Sequence, residues 1–340
     1  MKKILIINPG STSTKYKVFD KKGNVLNEQV FLLKQKKQEL NFLNKLENVE
    51  KIGIRVVHGG DITKTSKINK TLKNKIKDYL DFAPIHNNRA LKTIEKIEKI
   101  FPKIPFFASF DTAFHTSIPL ENSTYMIDQK LAQKYGLKKY GFHGLAVQSA
   151  FQKVKDEAKK KNKKMPKKII FAHLGGGCSI TAVKNGKSFA TSMELTPLSG
   201  IPMITRSGSV DPDIFSILSK RSKISVEKIS ELLNKKSGFY GMTGTKDTLK
   251  IMNSAKNGKK KEKFTFDIFV NEIVKKIFAY TGLMQGVDAI VFSGGIGFGN
   301  SFLRKSVLKK VKILGISKKN VYIVDVDEEL IIFKEISTLY

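Results

Sequence analysis

The chain opens with Lys2-Lys3, four apolar residues (Ile4 to Ile7) and an abrupt Asn8-Pro9-Gly10, then rises again into "STSTKYKVFD" and, after Lys21-Lys22-Gly23-Asn24, into "VLNEQVFLL". A short unbroken apolar run reads as a strand buried on both faces, and the alternation that follows, broken by turn residues, reads as a hairpin. Lys34 to Asn48 reads as a polar helix, and "KIGIRVV" reads as a strand ending at Gly59-Gly60. Residues 87 to 100 read as a helix that follows the loop "APIHNN". From Lys167 the opening pattern returns as "KKIIFAHLGGGCSITAVKNGKSFA", about 165 residues after its first occurrence. A third variation, "VDAIVFSGGIGFGN" from Val287, again ends a strand in a Gly-rich turn and follows the amphipathic stretch "FDIFVNEIVKKIFAYTGLMQG". Strands alternating with helices predict an α/β fold, and the repeated design predicts duplicated halves.

At 340 residues the chain exceeds one ordinary core, which predicts two lobes. The expected division is residues 1–145 and 146–340, with the dense lysine run after Lys153 near the boundary and the last helix packing back on the first lobe. Phosphate is expected in the cleft between the two Gly-rich halves. A net charge of +32 raises the question of nucleic acid, yet only five of the 62 basic residues are arginines (Arg55, Arg89, Arg206, Arg221, Arg304). Lysine spread over every segment reads as solvated surface rather than a base-reading device, so no specific nucleic-acid partner is expected. The single cysteine, Cys178, excludes an internal disulfide and fits a reducing compartment. The first apolar run stops at Asn8, short of a signal peptide, and no run approaches the roughly 18 apolar residues of a membrane span. A cytoplasmic enzyme without a membrane partner is the expectation.

All five histidines (His58, His86, His115, His143, His173) fall beside predicted loops or strand ends, where each is either a hydrogen-bonded structural imidazole or a catalytic group. No two stand three to five residues apart and Cys178 has no partner, which argues against zinc; no Gly-x-Ser-x-Gly elbow occurs, which argues against a serine hydrolase. Arg55 and Arg206 lie among Gly and Ser residues, where a guanidinium fork suits carboxylate or phosphate. Asp111 directly follows an apolar strand, placed to orient an arginine, hold a metal's water shell or accept a proton, and a helix-capping role is compatible with any of these. Glu328 and Glu329 open the last helix, where acids are also favoured by the helix dipole. "STSTK" lacks Walker spacing and could equally be hairpin polarity.

Ten short motifs, "NPGSTSTK", "RVVHGG", "APIHN", "FDTAFH", "YGFHG", "HLGGG", "TSMELTPLSG", "TRSGSVDP", "GGIG" and "EEL", occur in an order that together resembles the acetate kinase family of acyl-phosphate-forming kinases, within the actin, sugar kinase and Hsp70 superfamily. The resemblance runs nearly end to end. It implies a duplicated ribonuclease H-like fold with an interdomain cleft, and reversible magnesium-ATP-dependent phosphorylation of acetate, with manganese as a substitute metal. By the resemblance, Arg55, Asp111, His143 and Arg206 are the catalytic group. Val57, Ile85, His86, Phe142 and Pro197 surround the substrate. Ser11, Ser13, Lys15, His173, Gly175, Gly176, Gly177, Asp247, Gly294, Gly295, Ile296, Gly297 and Asn300 hold the nucleotide and its phosphates. Asn8 and Glu328 serve the metal through water, with Glu329 as the alternative register. A homodimer is expected by the same analogy. Gly176 stands where acetate kinases usually carry Asn, Val147 lies where they carry a histidine, Phe298 replaces a Glu, and the arginine usual after Asp247 is missing; these departures bear on base recognition and chain length. Propionate or butyrate kinase activity, or a non-catalytic nucleotide- or polyanion-binding module, are the competing readings.

Overall fold

The computed structural model describes residues 1–10 and 12–339, which form two compact units. The first comprises Met1–Thr116, Phe142–Ser149 and Asp327–Tyr340; the second comprises Ser117–Gly141 and Ala150–Val326. Both are built around a mixed sheet with the same winding. In the first unit, β1 (Lys3–Pro9), β2 (Ser13–Asp20) and β3 (Val25–Leu32) form an antiparallel meander. β4 (Val49–Val56) joins the free side of β1 in parallel, β6 (Phe106–Phe110) joins β4 in parallel, and the two-residue β5 (Ser66–Lys67) closes the edge. In the second unit, β7 (Lys168–Leu174), β8 (Cys178–Lys184) and β9 (Lys187–Thr191) repeat the meander, while β10 (Ala289–Ser293) and β11 (Val321–Ile323) add in parallel beside β7. The shared strand order bears out the duplicated α/β architecture.

The predicted turns form as their residues dictate. Asn185 and Gly186 take φ of 53° and 78° between β8 and β9, the two left-handed positions that a tight hairpin requires. Between β2 and β3 the Asp20 carboxylate accepts the N–H groups of Lys22 and Asn24 at 2.8 and 2.9 Å.

The run Ile4 to Ile7 is buried on both faces of the first sheet. Leu5 and Ile7 pack with Tyr16, Val18, Ile54 and Ile94 in one layer; Ile4 and Ile6 pack with Phe19, Phe107, Ile332 and Phe333 of the final helix, Glu328–Ser337, in the other. Alternation along a strand directs side chains to opposite faces, so one sequence run feeds two cores. Gly53 on β4 sits where a Cβ would lie 2.8 Å from Ile332 and 2.9 Å from Ile336, which is what lets the final helix come down onto the sheet.

Three local readings change. The helix predicted over residues 87–100 spans Pro84–Ile100, because proline with its fixed φ opens a helix readily; "APIHNN" is therefore its first turn and not a loop. The polar helix is shorter than Lys34 to Asn48, covering Lys36–Asn44. "GGIG" is not a turn but the start of the short helix Gly294–Gly299. No helix among the described residues is long and apolar enough to cross a membrane.

Candidate active site

In the first unit, Asn8, Arg55 and Asp111 lie at or just beyond the carboxyl ends of β1, β4 and β6, three neighbouring parallel strands. Open α/β sheets place their ligands at such ends. The Arg55 guanidinium grips Asp111 with two bonds, Nε to Oδ1 at 3.0 Å and Nη2 to Oδ2 at 2.6 Å. Its Nη1 donates to Glu328 Oε2 at 2.7 Å and to Asn8 Oδ1 at 3.2 Å. Burial alone would favour a neutral guanidine, but the surrounding carboxylates, Asp111 first, outweigh it and push the Arg55 pKa up. Burial pushes the Asp111 carboxyl up to about 6, with the Arg55 charge and fork pulling the other way, so it is ionised at neutral pH. Asp111 is thus the partner of an arginine.

The charge network extends through Asn8, whose Nδ2 donates to Glu328 Oε2 at 2.9 Å and to Glu329 Oε1 at 2.6 Å. Glu329, only 3% exposed, meets Lys15 at 3.1 Å; Lys15 also meets Glu28 at 3.1 Å, and Lys17 meets Glu28 and Asp327 at 3.3 and 2.7 Å. Among the described residues Asp111, Glu328, Glu329, Asp327 and Glu28 pair with Arg55, Lys15 and Lys17, a surplus of two negative charges. A hard divalent cation with oxygen ligands fits such a set. Among the described residues no three His, Cys, Asp or Glu side chains gather to hold an ion by themselves. Ser13 opens β2; Ser11 lies outside the described residues.

His143 stands between β6 and the helix Gly144–Lys160 with φ of 61°, an unusual value for a residue with a side chain. Its backbone N–H donates to the Asp111 carboxylate and the next N–H, of Gly144, donates to the Asp111 carbonyl at 3.0 Å, so Asp111 fixes the turn that presents the imidazole. Phe142, before it, is buried and its carbonyl accepts His115 Nε2–H at 2.8 Å. His58 packs its ring edge-on to Phe142 with centroids 5.4 Å apart, accepts the Gly60 N–H at Nδ1, and has its backbone clasped by the Asn87 side chain at 3.0 and 2.9 Å. Burial pushes His58 down to about 3 and His115 down to about 4; both are neutral supports. Among the substrate candidates, Val57 is buried, whereas Ile85 and His86 lie in the first turn of Pro84–Ile100 with Ile85 46% exposed.

In the second unit His173 ends β7 opposite Ser293 of β10, its Nδ1 3.1 Å from Ser293 Oγ. Past these residues run Gly175–Gly177 and Gly294–Gly297; a Cβ on Gly175 would lie 3.7 Å from the Gly295 N, so the two glycine segments adjoin. Gly294 has φ of 75° and no room for a Cβ beside the Leu174 carbonyl, while Gly176 and Gly295 have open space over them. Ile296 is buried behind these glycines. Asp247 and Asn300 cap helices, accepting from Lys250 N and Leu303 N at 2.9 and 2.8 Å. Arg206 donates to the Pro197 carbonyl at 3.1 Å and touches Met203 Sδ at 3.6 Å. Burial lowers its pKa, and no carboxylate pairs with it among the described residues. Cys178 is fully buried, its thiol pushed up to about 12 by burial, and is inert.

The structure thus gathers Asn8, Arg55, Asp111, His143 and Glu328 in one unit, with Val57, Ile85, His86 and Phe142, and places Arg206, Pro197, His173 and the glycine segments in the other. Lys17, Asp327 and Arg304 went unremarked in the sequence. Arg304 donates to the carbonyls of Gly297 and Phe298 at 2.9 and 2.5 Å and so ties down the end of the second glycine segment. Strand alternation from Lys15 was the available signal for Lys17; nothing local marked Arg304.

Comparison with known proteins identifies the family. An acetate kinase of Thermoanaerobacterium thermosaccharolyticum is 34% identical over 98% of both chains, and one of Treponema denticola is 32% identical over 99% of both. A crystal structure of a propionate kinase from Francisella tularensis superposes with a TM-score of 0.89 at 34% identity, covering 98% of this chain and 99% of that one. The Porphyromonas gingivalis acetate kinase superposes with a TM-score of 0.87 at 29% identity over the full length of both. The model of the acetokinase family matches residues 26–339. With that match and those relatives over nearly its whole length, the chain belongs to the acetokinase family, phosphotransferases whose acceptor is a carboxyl group.

Proposed function

We propose that the protein reversibly phosphorylates acetate with magnesium-ATP, by direct in-line transfer of the phosphoryl group. The observation that carries this reading is Arg206: a guanidinium whose pKa burial lowers and which, among the described residues, bonds only to a carbonyl and a thioether, a set that an anion would complete. Phosphoryl transfer demands little covalent chemistry from a protein; it demands alignment and neutralisation of charge spread over the moving group. Magnesium, when bound, would neutralise part of that charge and help align the attacking and leaving oxygens. Asn8 and Glu328 would hold it through water. Arg206 donates to the phosphoryl oxygens, His143 contributes a further donor, and Asp111 keeps Arg55 charged and oriented beside them. Gly175, Gly176, Gly294 and Gly295 leave backbone accessible to the nucleotide phosphates, with His173 at their head. Val57, Ile85 and Phe142 of the first unit would contact the methyl side of the substrate, and Pro197 of the second is a further apolar candidate.

The test is a hydroxamate assay with ATP, magnesium and acetate. Acetyl hydroxamate should accumulate only when all three are present; its absence under every divalent metal tried would end this reading. Propionate is the second reading, favoured by the Francisella tularensis propionate kinase among the similar structures. One methylene in an apolar pocket is worth only about 1 to 3 kcal/mol, so kcat/KM should fall gradually from the preferred acid, and the maximum of the series identifies it. We also propose a cytoplasmic homodimer, whose mass sedimentation at micromolar concentration reads directly.

A further inference from the structure

β2 offers its residues alternately to two layers: Tyr16 and Val18 enter the core with Leu91 and Ile94, while Lys15, Lys17 and Phe19 share the face that the final helix covers. On that face Lys17 is 5% exposed, rare for lysine. Its ammonium lies 2.7 Å from Asp327 Oδ2, 3.3 Å from Glu28 and 4.0 Å from Glu329. Asp327 is held at two further points. Its Oδ1 accepts the Leu330 N–H at 2.9 Å as the cap of the final helix, and its own N–H donates to Ser149 Oγ at 2.8 Å. The next two residues along the chain are Glu328 and Glu329, the acids that meet Asn8, Arg55 and Lys15.

A surface helix needs a cap but not a buried lysine behind the cap. The second oxygen of Asp327, turned inward onto Lys17, ties the first turn of the helix to a strand of the sheet, with the two acids immediately beyond the knot. We propose that the Lys17–Asp327 pair is a positioning device that fixes where Glu328 and Glu329 stand and thereby sets the affinity for the divalent cation. The proposal rests on the phosphoryl-transfer reading only for the identity of the reaction, since cation binding is measured separately. A purely structural role for the pair would alter unfolding and leave cation binding untouched.

The experiment compares Lys17→Met, Lys17→Arg, Asp327→Asn and the double variant Lys17→Met/Asp327→Asn with the unaltered chain. Mn2+ binding in the presence of ADP is followed by electron paramagnetic resonance, alongside the Mg2+ half-saturation of acetyl phosphate formation and the thermal unfolding of each protein. Outer partners of metal ligands typically change affinity by about 10- to 100-fold when removed, so Lys17→Met should weaken Mn2+ binding and raise the Mg2+ half-saturation roughly tenfold. Lys17→Arg should stay within about threefold. The double variant breaks the same tie and keeps a capping side chain, so its loss should be no greater than that of Lys17→Met alone, a coupling that independent residues do not show. Unchanged Mn2+ binding in a folded Lys17→Met protein overturns the proposal, as does a double variant whose loss equals the two single losses combined. If Lys17→Met does not fold, Asp327→Asn decides: a several-fold rise in the Mg2+ half-saturation supports the pair and no rise refutes it. A chain that binds Mn2+ with ADP yet forms no acetyl phosphate refutes the proposed reaction and leaves the pair to be judged on Mn2+ alone.

Discussion

Arg55 and Arg206 look alike in the sequence, each a scarce arginine beside small residues, but the structure gives them opposite circumstances. Arg55 spends four bonds on Asp111, Glu328 and Asn8. Among the described residues the Arg206 guanidinium has only the Pro197 carbonyl and the Met203 sulfur. An arginine already neutralised organises its neighbours, whereas a buried arginine bonded to neutral acceptors is the one whose charge is available to an anion. Arg206→Ala should therefore lower kcat by about three orders of magnitude, comparable to losing a guanidinium that stabilises a transferring phosphoryl group. Folding should be little changed, since no ion pair is broken; circular dichroism and thermal unfolding check this, and wild-type acetyl phosphate formation by the variant would remove Arg206 from the chemistry.

At the scale of elements, the final helix does two jobs with one set of faces. Ile332, Phe333 and Ile336 bury against β1, β2 and β4, and its first turn carries the acids of the site. Gly53 is the point of closest approach: a methyl there would lie within 3.0 Å of Ile332, Ile336 and Ile6 at once, all fully buried. Overpacking of this kind typically costs about 1 to 3 kcal/mol, so Gly53→Ala should lower the stability measured by urea unfolding by about that amount. An unaltered midpoint would mean the helix can ride up without penalty. The amphipathic pattern of "EELIIF" announced this helix, and the resemblance placed Glu328 near a metal. Neither could say that Glu329 is the more deeply buried acid, because burial depends on which strand the helix lands upon.

For the whole molecule, the two neutral buried histidines make stability sensitive to acid. His58 at about 3 and His115 at about 4 both fall below the ordinary 6.5, so the unfolded chain binds protons that the folded one refuses. Their contribution is complete above 6.5 and is lost as pH falls toward the folded values, at about 1.4 kcal/mol per pH unit for each histidine. By pH 5 the pair should cost about 4 kcal/mol, partly offset by Asp111, whose raised carboxyl takes up a proton in the folded state below about 6. Urea midpoints at pH 7.5 and 5 test this, and His115→Gln should remove close to half of the histidine contribution. A midpoint independent of pH over that range would contradict the neutral state of both rings.

The amino-acid sequence by itself determined the strands, their turns and the duplication. Apolar runs, period-two alternation and left-handed residues such as Asn185-Gly186 act over a few positions and do not need the rest of the chain. It misplaced the start of Pro84–Ile100 because "APIHNN" has no cap signature apart from its proline. Tertiary structure alone decided which charges meet. Arg55 finds Glu328 across 273 residues and Lys17 finds Asp327 across 310, distances over which no local pattern selects a partner. The choice is made by the sheet and the final helix packing together, since burial makes an unpaired charge costly enough to permit only the arrangement in which each has an opposite beside it.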